Sequence, residues 1–248
     1  MLFRHLVTAL FAFAVFTAVA NARSLTFLVP ESSLVLPYAN AENGQVRSGL
    51  HRDLAELLGE RLNHDIEYII VPRARVDEQL NSGKADIRCY TRPDWSLIRA
   101  HYTQPILTIT ESIVRRADTP SINSIAALEG QRIGTVTGYY YPVLDHFGAD
   151  MAASWRDNAP SHLHNLEKLK RGRIQYVYMD DTFLAYRGME HSPWLVRDFE
   201  INRFNVYCAV LPGSPVTVDR VNSALTAMIE DGSWQAVLSR YRLEDFLP

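Results

Sequence analysis

The sequence predicts an α/β fold of two lobes, two parallel-rich sheets joined by two hinge strands. Three observations carry this. A strand–helix–strand–helix–strand unit over residues 25–90 returns over residues 132–179. The two copies end alike, with Ser82-Gly83-Lys84-Ala85-Asp86 in the first and Arg171-Gly172-Arg173-Ile174-Gln175 in the second. Two long apolar stretches, Pro105–Val114 and Arg203–Val210, flank the second copy on either side. Strands alternating with helices imply parallel pairing with right-handed crossovers. The doubling implies two lobes, and the flanking stretches are the candidate paired hinge strands of a domain closure.

The chain opens with Arg4, an apolar run from Leu6 to Val19 and the small residues Ala20-Asn21-Ala22. That order describes a secretory signal peptide over residues 1–22, cleaved near Ala22, with a mature start near Arg23. The run is shorter than the roughly 18–20 apolar residues of a membrane-spanning helix. The expected location is therefore the periplasm.

Leu25–Val29 is a short apolar run, read as a buried strand. Leu50, Leu54, Leu57, Leu58 and Leu62 recur at helical spacing and make one apolar helix face. Ile66–Val71, rich in β-branched residues, is the second strand. A helix is expected from Pro72 through Val76 and Leu80 to a stop at Gly83, then a third strand over Ala85–Tyr90. In the second copy, Arg132–Thr137 is a strand and Tyr141–Phe147 a short helix with Pro142 in its first turn. Residues near Met151–Arg156 make a weak strand, His162–Leu169 a helix ending at Gly172, and Ile174–Met179 a strand. Phe204–Leu211 is a strand, followed by a helix presenting Val221, Leu225, Met228 and Ile229, and a last helix over Trp234–Tyr241 beyond Gly232.

Charge is nearly balanced, with Lys+Arg 25 against Asp+Glu 28, and forms no basic stripe, which argues against a nucleic-acid partner. The chain contains no G-x-S-x-G elbow, no H-E-x-x-H and no paired-cysteine metal spacing, so neither an enzyme nor a metal or other cofactor is expected. Asp180-Asp181 and Glu111 are the acids that would serve if acid–base chemistry were present. His162 and His164 flank Leu163 at a spacing that puts them on different helix faces, and both are read as solvent-facing.

In open parallel sheets ligands sit beyond the carboxyl ends of the strands. That rule selects Glu31 and Tyr38 after the first strand, and Tyr90, Thr91, Arg92 and Trp95 after the third. From the second copy it selects Thr137, Gly138, Tyr139 and Tyr140, then Asp180 and Asp181. Arg92 offers a planar fork for a carboxylate, or else a surface ion pair. Gly138 precedes a helix, so the backbone N–H groups of Tyr139 and Tyr140 are expected to face an anionic group. Asp181 is the alternative helix-capping residue to a binding Asp180.

Several blocks then resemble the family 3 extracellular solute-binding proteins, with the type II periplasmic binding fold of polar amino-acid transport systems. They are Gly49-Leu50-His51-Arg52-Asp53-Leu54, Leu80-Asn81-Ser82-Gly83-Lys84-Ala85-Asp86 and Leu128-Glu129-Gly130-Gln131-Arg132-Ile133-Gly134, then Leu169-Lys170-Arg171-Gly172-Arg173 with Asp180, and Asp231-Gly232-Ser233-Trp234. They fall in family order over almost the whole mature chain. His51 stands at the signature's first acid position. The resemblance implies a cleft between a first lobe (residues 23–107), a second lobe (108–204) and a return to the first lobe with the C-terminal helices (205–248). It implies Tyr38 as an aromatic floor, a Thr91 hydroxyl contact and Asp180 for a ligand amino group. The arginine that clamps the ligand carboxylate in family amino-acid binders has no counterpart at its usual T-x-x-R spacing; Arg92 and Arg99 are the nearest.

The resemblance also implies a function: a monomer capturing a small polar solute, an amino acid or related amine or carboxylate, for an ABC transporter permease in the inner membrane. A dehydratase-like enzyme of the same fold and a sensory protein feeding a membrane receptor are the other readings. In this fold the strand re-entering the first lobe runs antiparallel beside that lobe's third strand, so Cys89 and Cys208 are expected to form a disulfide in an oxidising compartment.

Overall fold

The structure is a computed structural model that describes residues 24–95, 98–145, 154–189 and 191–248. The expected signal peptide over residues 1–22, the end of the expected 141–147 helix and residues 151–153 of the weak strand lie outside the described residues. Among the described residues no helix is long and apolar enough to cross a membrane.

The first copy builds β1 (Leu25–Pro30), α1 (Leu50–Leu62), β4 (Ile66–Val71), α2 (Val76–Asn81) and β5 (Ile87–Thr91), with a small hairpin, β2 (Asn40–Glu42) and β3 (Gln45–Ser48), inserted before α1. β1 lies between β4 and β5, parallel to both. The second copy builds β8 (Ile133–Val136), α3 (Pro142–Asp145), β9 (Arg156–Ala159), α4 (His162–Lys170), β10 (Tyr176–Asp180) and α5 (Asp181–Arg187), with β8 parallel to both β9 and β10. Both copies thus place their first strand centrally, which is the structural form of the repeat seen in the sequence.

β7 (Leu107–Arg116) and β11 (Leu195–Val210) contain most of the two long apolar stretches and pair antiparallel from Leu107↔Val206 to Arg116↔Leu195. β11 also pairs antiparallel with β5, and β7 with β10. The two hinge strands thus join the parallel-rich sheets edge to edge, in the order β4-β1-β5-β11-β7-β10-β8-β9, with the short β6 (His101–Tyr102) beside β11. The apolar face of α1 packs with α6 (Val218–Glu230) and α7 (Ser233–Arg240): Leu50, Leu54 and Leu58 meet Val221, Leu225, Met228 and Trp234 in one buried cluster.

Local chemistry explains where the elements stop. Asn63, in the left-handed region at φ 57, ends α1. Gly83 and Gly172, at φ 70 and 68, follow the second helix of each copy, as the matched sequence blocks require. The helix expected from Pro72 starts later: Pro72 is extended at ψ 136, Arg73–Arg75 forms a single tight turn, and α2 begins at Val76. Most strand ends shift by one or two residues, because side-chain patterning marks burial better than hydrogen-bond boundaries. The larger differences are β11, which begins at Leu195 and not at the expected Phe204, and β9, which runs over Arg156–Ala159 where a weak strand near Met151–Arg156 was expected.

Cys89 and Cys208 are joined by a disulfide. They meet at an irregularity in the β5–β11 ladder, where Tyr207 pairs with Thr91 and Ala209 with Arg88, so that Cys89 and Tyr90 together face Cys208. The extra residue on β5 is taken up by Tyr90 at φ 55. A bulge of this kind re-aims the side chains around it, and here those side chains are Arg88 and Tyr90.

Candidate functional site

The carboxyl ends of β1, β5, β8 and β10 converge on one cavity. β1 and the loop after it contribute Pro30, Ser32, Ser33 and Tyr38; β5 and the turn after it contribute Arg88, Cys89, Tyr90 and Trp95. From the other half come Tyr139, Tyr140, His162 and Asp180, and the hinge strands add Ile109, Glu111 and Phe204. His51, from the start of α1, and Arg73, from the turn before α2, complete the wall.

Aromatic rings shape the interior. Tyr90 meets Tyr38 and His51 edge-on, with centroids 5.8 and 4.8 Å apart, and its hydroxyl donates to the Leu50 carbonyl at 3.0 Å. These contacts and the disulfide hold a left-handed backbone that an L-residue otherwise avoids.

Arg88 is the central electrostatic feature. It is 3 % exposed, lies inside β5 and lines the cavity, yet its Nε and Nη1 have no hydrogen-bond partner. Burial, with the Arg73 guanidinium nearby, lowers its pKa to about 10, so it stays charged at neutral pH. A buried charge without a partner is costly. His51 Nε2 and His162 Nδ1 are also buried without a partner. Burial, reinforced by Arg88, drives the His51 pKa down to about 3, and burial lowers that of His162, so both rings are neutral.

The acids are arranged differently. Asp180 ends β10 and caps α5: its Oδ1 accepts from the Thr182 N–H at 2.8 Å and the Thr182 hydroxyl at 2.6 Å. Its Oδ2 accepts from the Tyr38 hydroxyl. Glu111 faces Asp180 across the β7–β10 ladder and accepts from the Tyr178 hydroxyl at 2.9 Å. Burial above all pushes the Glu111 pKa up to about 8. Asp181 points elsewhere, to Ser112 at 3.1 Å and Arg197 at 3.0 Å.

With this geometry in view, the profile of the bacterial extracellular solute-binding proteins, family 3, matches residues 32–244. The chain belongs to that family. A search of curated proteins finds no match. Solved structures share the fold of this solute-binding protein. An ancestral arginine-binding protein bound to arginine is 22% identical, with TM-score 0.70 and 88% of this chain and 97% of that chain covered. The GluR0 ligand-binding core from Nostoc punctiforme, in complex with L-glutamate, is 16% identical with TM-score 0.71, covering 88% and 98%. A histidine kinase sensor domain with similarity to periplasmic binding proteins is 16% identical with TM-score 0.71, covering 89% and 96%. At these identities the likeness establishes the type II periplasmic binding fold.

Of the residues selected from the sequence of this solute-binding protein, Tyr38, Tyr90, Trp95, Tyr139, Tyr140 and Asp180 line the cavity; Thr91, Arg92, Thr137 and Gly138 do not, and Thr137 and Gly138 are exposed. Arg92 is paired bidentately with Asp94, both bonds 2.8 Å, and its guanidinium sits 4.6 Å from the Phe204 ring centroid. It takes the ion-pair option, bracing the wall formed by Trp95 and Phe204. Arg99 and Glu31 are exposed. Thr91 is fully buried with an unpartnered hydroxyl, and the Thr137 hydroxyl donates to the Ala159 carbonyl at 3.2 Å. The Tyr139 N–H donates to the Val136 carbonyl at 3.2 Å, so it is not free for an anion as expected. The helix cap is Asp180 and not Asp181, because Asp180 is the last extended residue. His164 is exposed as expected, but His162 is buried against Tyr139 and Phe183, since its helix face turns to the cavity and not to solvent.

Arg88, Arg73 and His51 were missed as site residues. For Arg88 the signal was present: an arginine inside the apolar run Ala85–Tyr90, where charged residues are almost never buried unless paired.

Proposed function

We propose that this chain is an exported binding protein that captures a small, carboxylate-bearing polar solute between two lobes and delivers it to an ABC-type permease. The observation that supports this reading is Arg88, a buried, charged guanidinium on the cavity wall whose Nε and Nη1 have no hydrogen-bond partner. A planar fork of N–H donors suits a carboxylate, and a bound carboxylate supplies the counter-charge that the protein withholds. Tyr38, Tyr90, Trp95, Tyr139 and Tyr140 enclose the rest of the solute. The lobes divide near residues 107–108 and 204–205 and close about the paired strands β7 and β11. The named neighbours fit a ligand-capturing role: one is described as bound to arginine, another as in complex with glutamate. The chain acts by binding and not by turnover.

A thermal-shift screen of amino acids and small carboxylates tests this, since a ligand that binds only the folded state raises its melting temperature. A carboxylate-bearing compound is expected to stabilise the wild type and to lose that effect in Arg88→Ala. A ligand that stabilises both equally would refute the role of Arg88.

A further inference from the structure

We propose that the solute is an acidic α-amino acid, with one carboxylate on Arg88 and the other on Arg73, so that Arg73 is the residue that selects for the second acid. This rests on the carboxylate-capturing role above and narrows it to a ligand with two acidic groups.

Arg73 reaches the cavity from the turn before α2 and Arg88 from inside β5, so two guanidinium groups line the same space. Each is a rigid planar fork that matches a carboxylate. After burial, the charge of Arg73 is the strongest influence on Arg88. Like charges held together on a cavity wall repel, and a second acidic group on the ligand relieves that repulsion. Asp77 attracts Arg88 in turn, but it stands outside the lining and leaves Arg88 Nε and Nη1 without a hydrogen-bond partner. It offsets charge and occupies neither of those donors. Glu111, an acid on the lining, accepts from Tyr178 and is kept protonated at neutral pH by burial, so it is no counter-charge for either guanidinium.

The stem of Arg73 is placed by the opposite half of the sheet. A Cβ added at Gly138 would stand 2.9 Å from Arg73 Cγ and 3.4 Å from Arg73 Cβ, so Arg73 lies where it does because residue 138 has no side chain. Gly138 follows β8, in the second copy. Arg73 therefore spans from the first copy to the second, whereas Arg75, two residues on, pairs with Glu78 on the surface.

The second copy supplies acceptors for an ammonium group. A carboxylate has about four acceptor positions, and Asp180 keeps one after the bonds from the Thr182 N–H, the Thr182 hydroxyl and the Tyr38 hydroxyl. His162 Nδ1 is buried without a partner on the same lining, and the Asp180 charge acts on its ring. Tyr139 stands between the two sides: its ring meets His162 edge-on with centroids 5.9 Å apart, and its hydroxyl senses both Asp180 and Arg73. Two donor forks facing an acid and a neutral imidazole match two carboxylates and one ammonium group.

Calorimetry on the mature protein with isosteric pairs tests this: L-glutamate against L-glutamine and L-aspartate against L-asparagine, with glutarate and succinate as diacids lacking the ammonium group. The acid of at least one pair is expected to bind about tenfold or more tightly than its amide, and more tightly than the matching diacid. Arg73→Met keeps a stem against Gly138 and removes the charge. It should weaken the acid about tenfold or more and change the amide by less than about threefold, a split that a general loss of fold would not produce. Equal or tighter binding of the amide, tighter binding of the diacid, an equal loss of both in Arg73→Met, or no binding by any of the six compounds overturns the inference. The carboxylate-capturing role is judged separately: it stands if whichever carboxylate binds loses affinity in Arg88→Ala, and falls if that affinity is unchanged.

Discussion

The Tyr38 hydroxyl donates to the Asp180 carboxylate although 142 residues of chain separate them. Tyr38 belongs to the loop before β2 and Asp180 to the end of β10, so the bond ties the two halves of the sheet across the cavity. Both groups are buried, at 6 % and 8 % exposure, which makes the contact a strong one.

Tyr38→Phe removes one donor from a buried carboxylate and leaves the aromatic contact with Tyr90. Hydrogen bonds to charged groups contribute about 1.5–3 kcal/mol, so the ligand-free variant should be less stable by an amount near that range. Urea unfolding monitored by tryptophan fluorescence measures it. An unchanged midpoint and slope would mean that the two halves are not tied in the free protein.

Arg88→Met should act in two opposite directions. It removes a buried charge whose Nε and Nη1 have no hydrogen-bond partner, so the variant's melting temperature should equal or exceed that of wild type. It should also abolish stabilisation by the solute. A variant that is clearly less stable without ligand would show that Arg88 has a structural counter-charge in solution.

The disulfide Cys89–Cys208 closes a loop with a sequence separation of 119. For loops of this length the chain-entropy model gives about 4–5 kcal/mol. The double variant Cys89→Ala, Cys208→Ala should therefore melt well below wild type and lose solute affinity, because Arg88 and Tyr90 adjoin the bridge. Equal melting curves for the variant and the oxidised wild type would contradict this.

Glu111 sets a pH dependence. Its folded pKa, raised to about 8 by burial, lies above the ordinary value of 4.5. The folded state therefore binds the proton more tightly than the unfolded state. The stability this contributes is complete below about pH 4.5 and is lost as pH rises through about 8. Across that window the loss is about 1.4 kcal/mol per pH unit at most. Glu111→Gln should remove this component, so the stability difference between the variant and wild type should shift in the variant's favour from pH 5 to pH 8. A difference independent of pH would place the titration elsewhere.

The sequence by itself determined the repeat, the order of the strands and helices, the glycine stops and the two long hinge strands, because these depend on local periodicity and turn chemistry. Leu50, Leu54 and Leu58 announce the buried face of α1 wherever that helix ends up. Strand-end logic likewise found Tyr38, Tyr90, Trp95, Tyr139, Tyr140 and Asp180. Only the tertiary structure decided which polar groups remain unpaired. Arg92 looked free in the chain but folds back onto Asp94 two residues on, whereas Arg88 is buried in β5 with its Nε and Nη1 unpartnered. His162 reads as a surface residue until α4 is laid against β8 and β10. Asp180 is available on paper and is occupied in the fold by a tyrosine from the other half of the sheet. Whether a charge is satisfied depends on partners distant in sequence, and no local pattern carries that information.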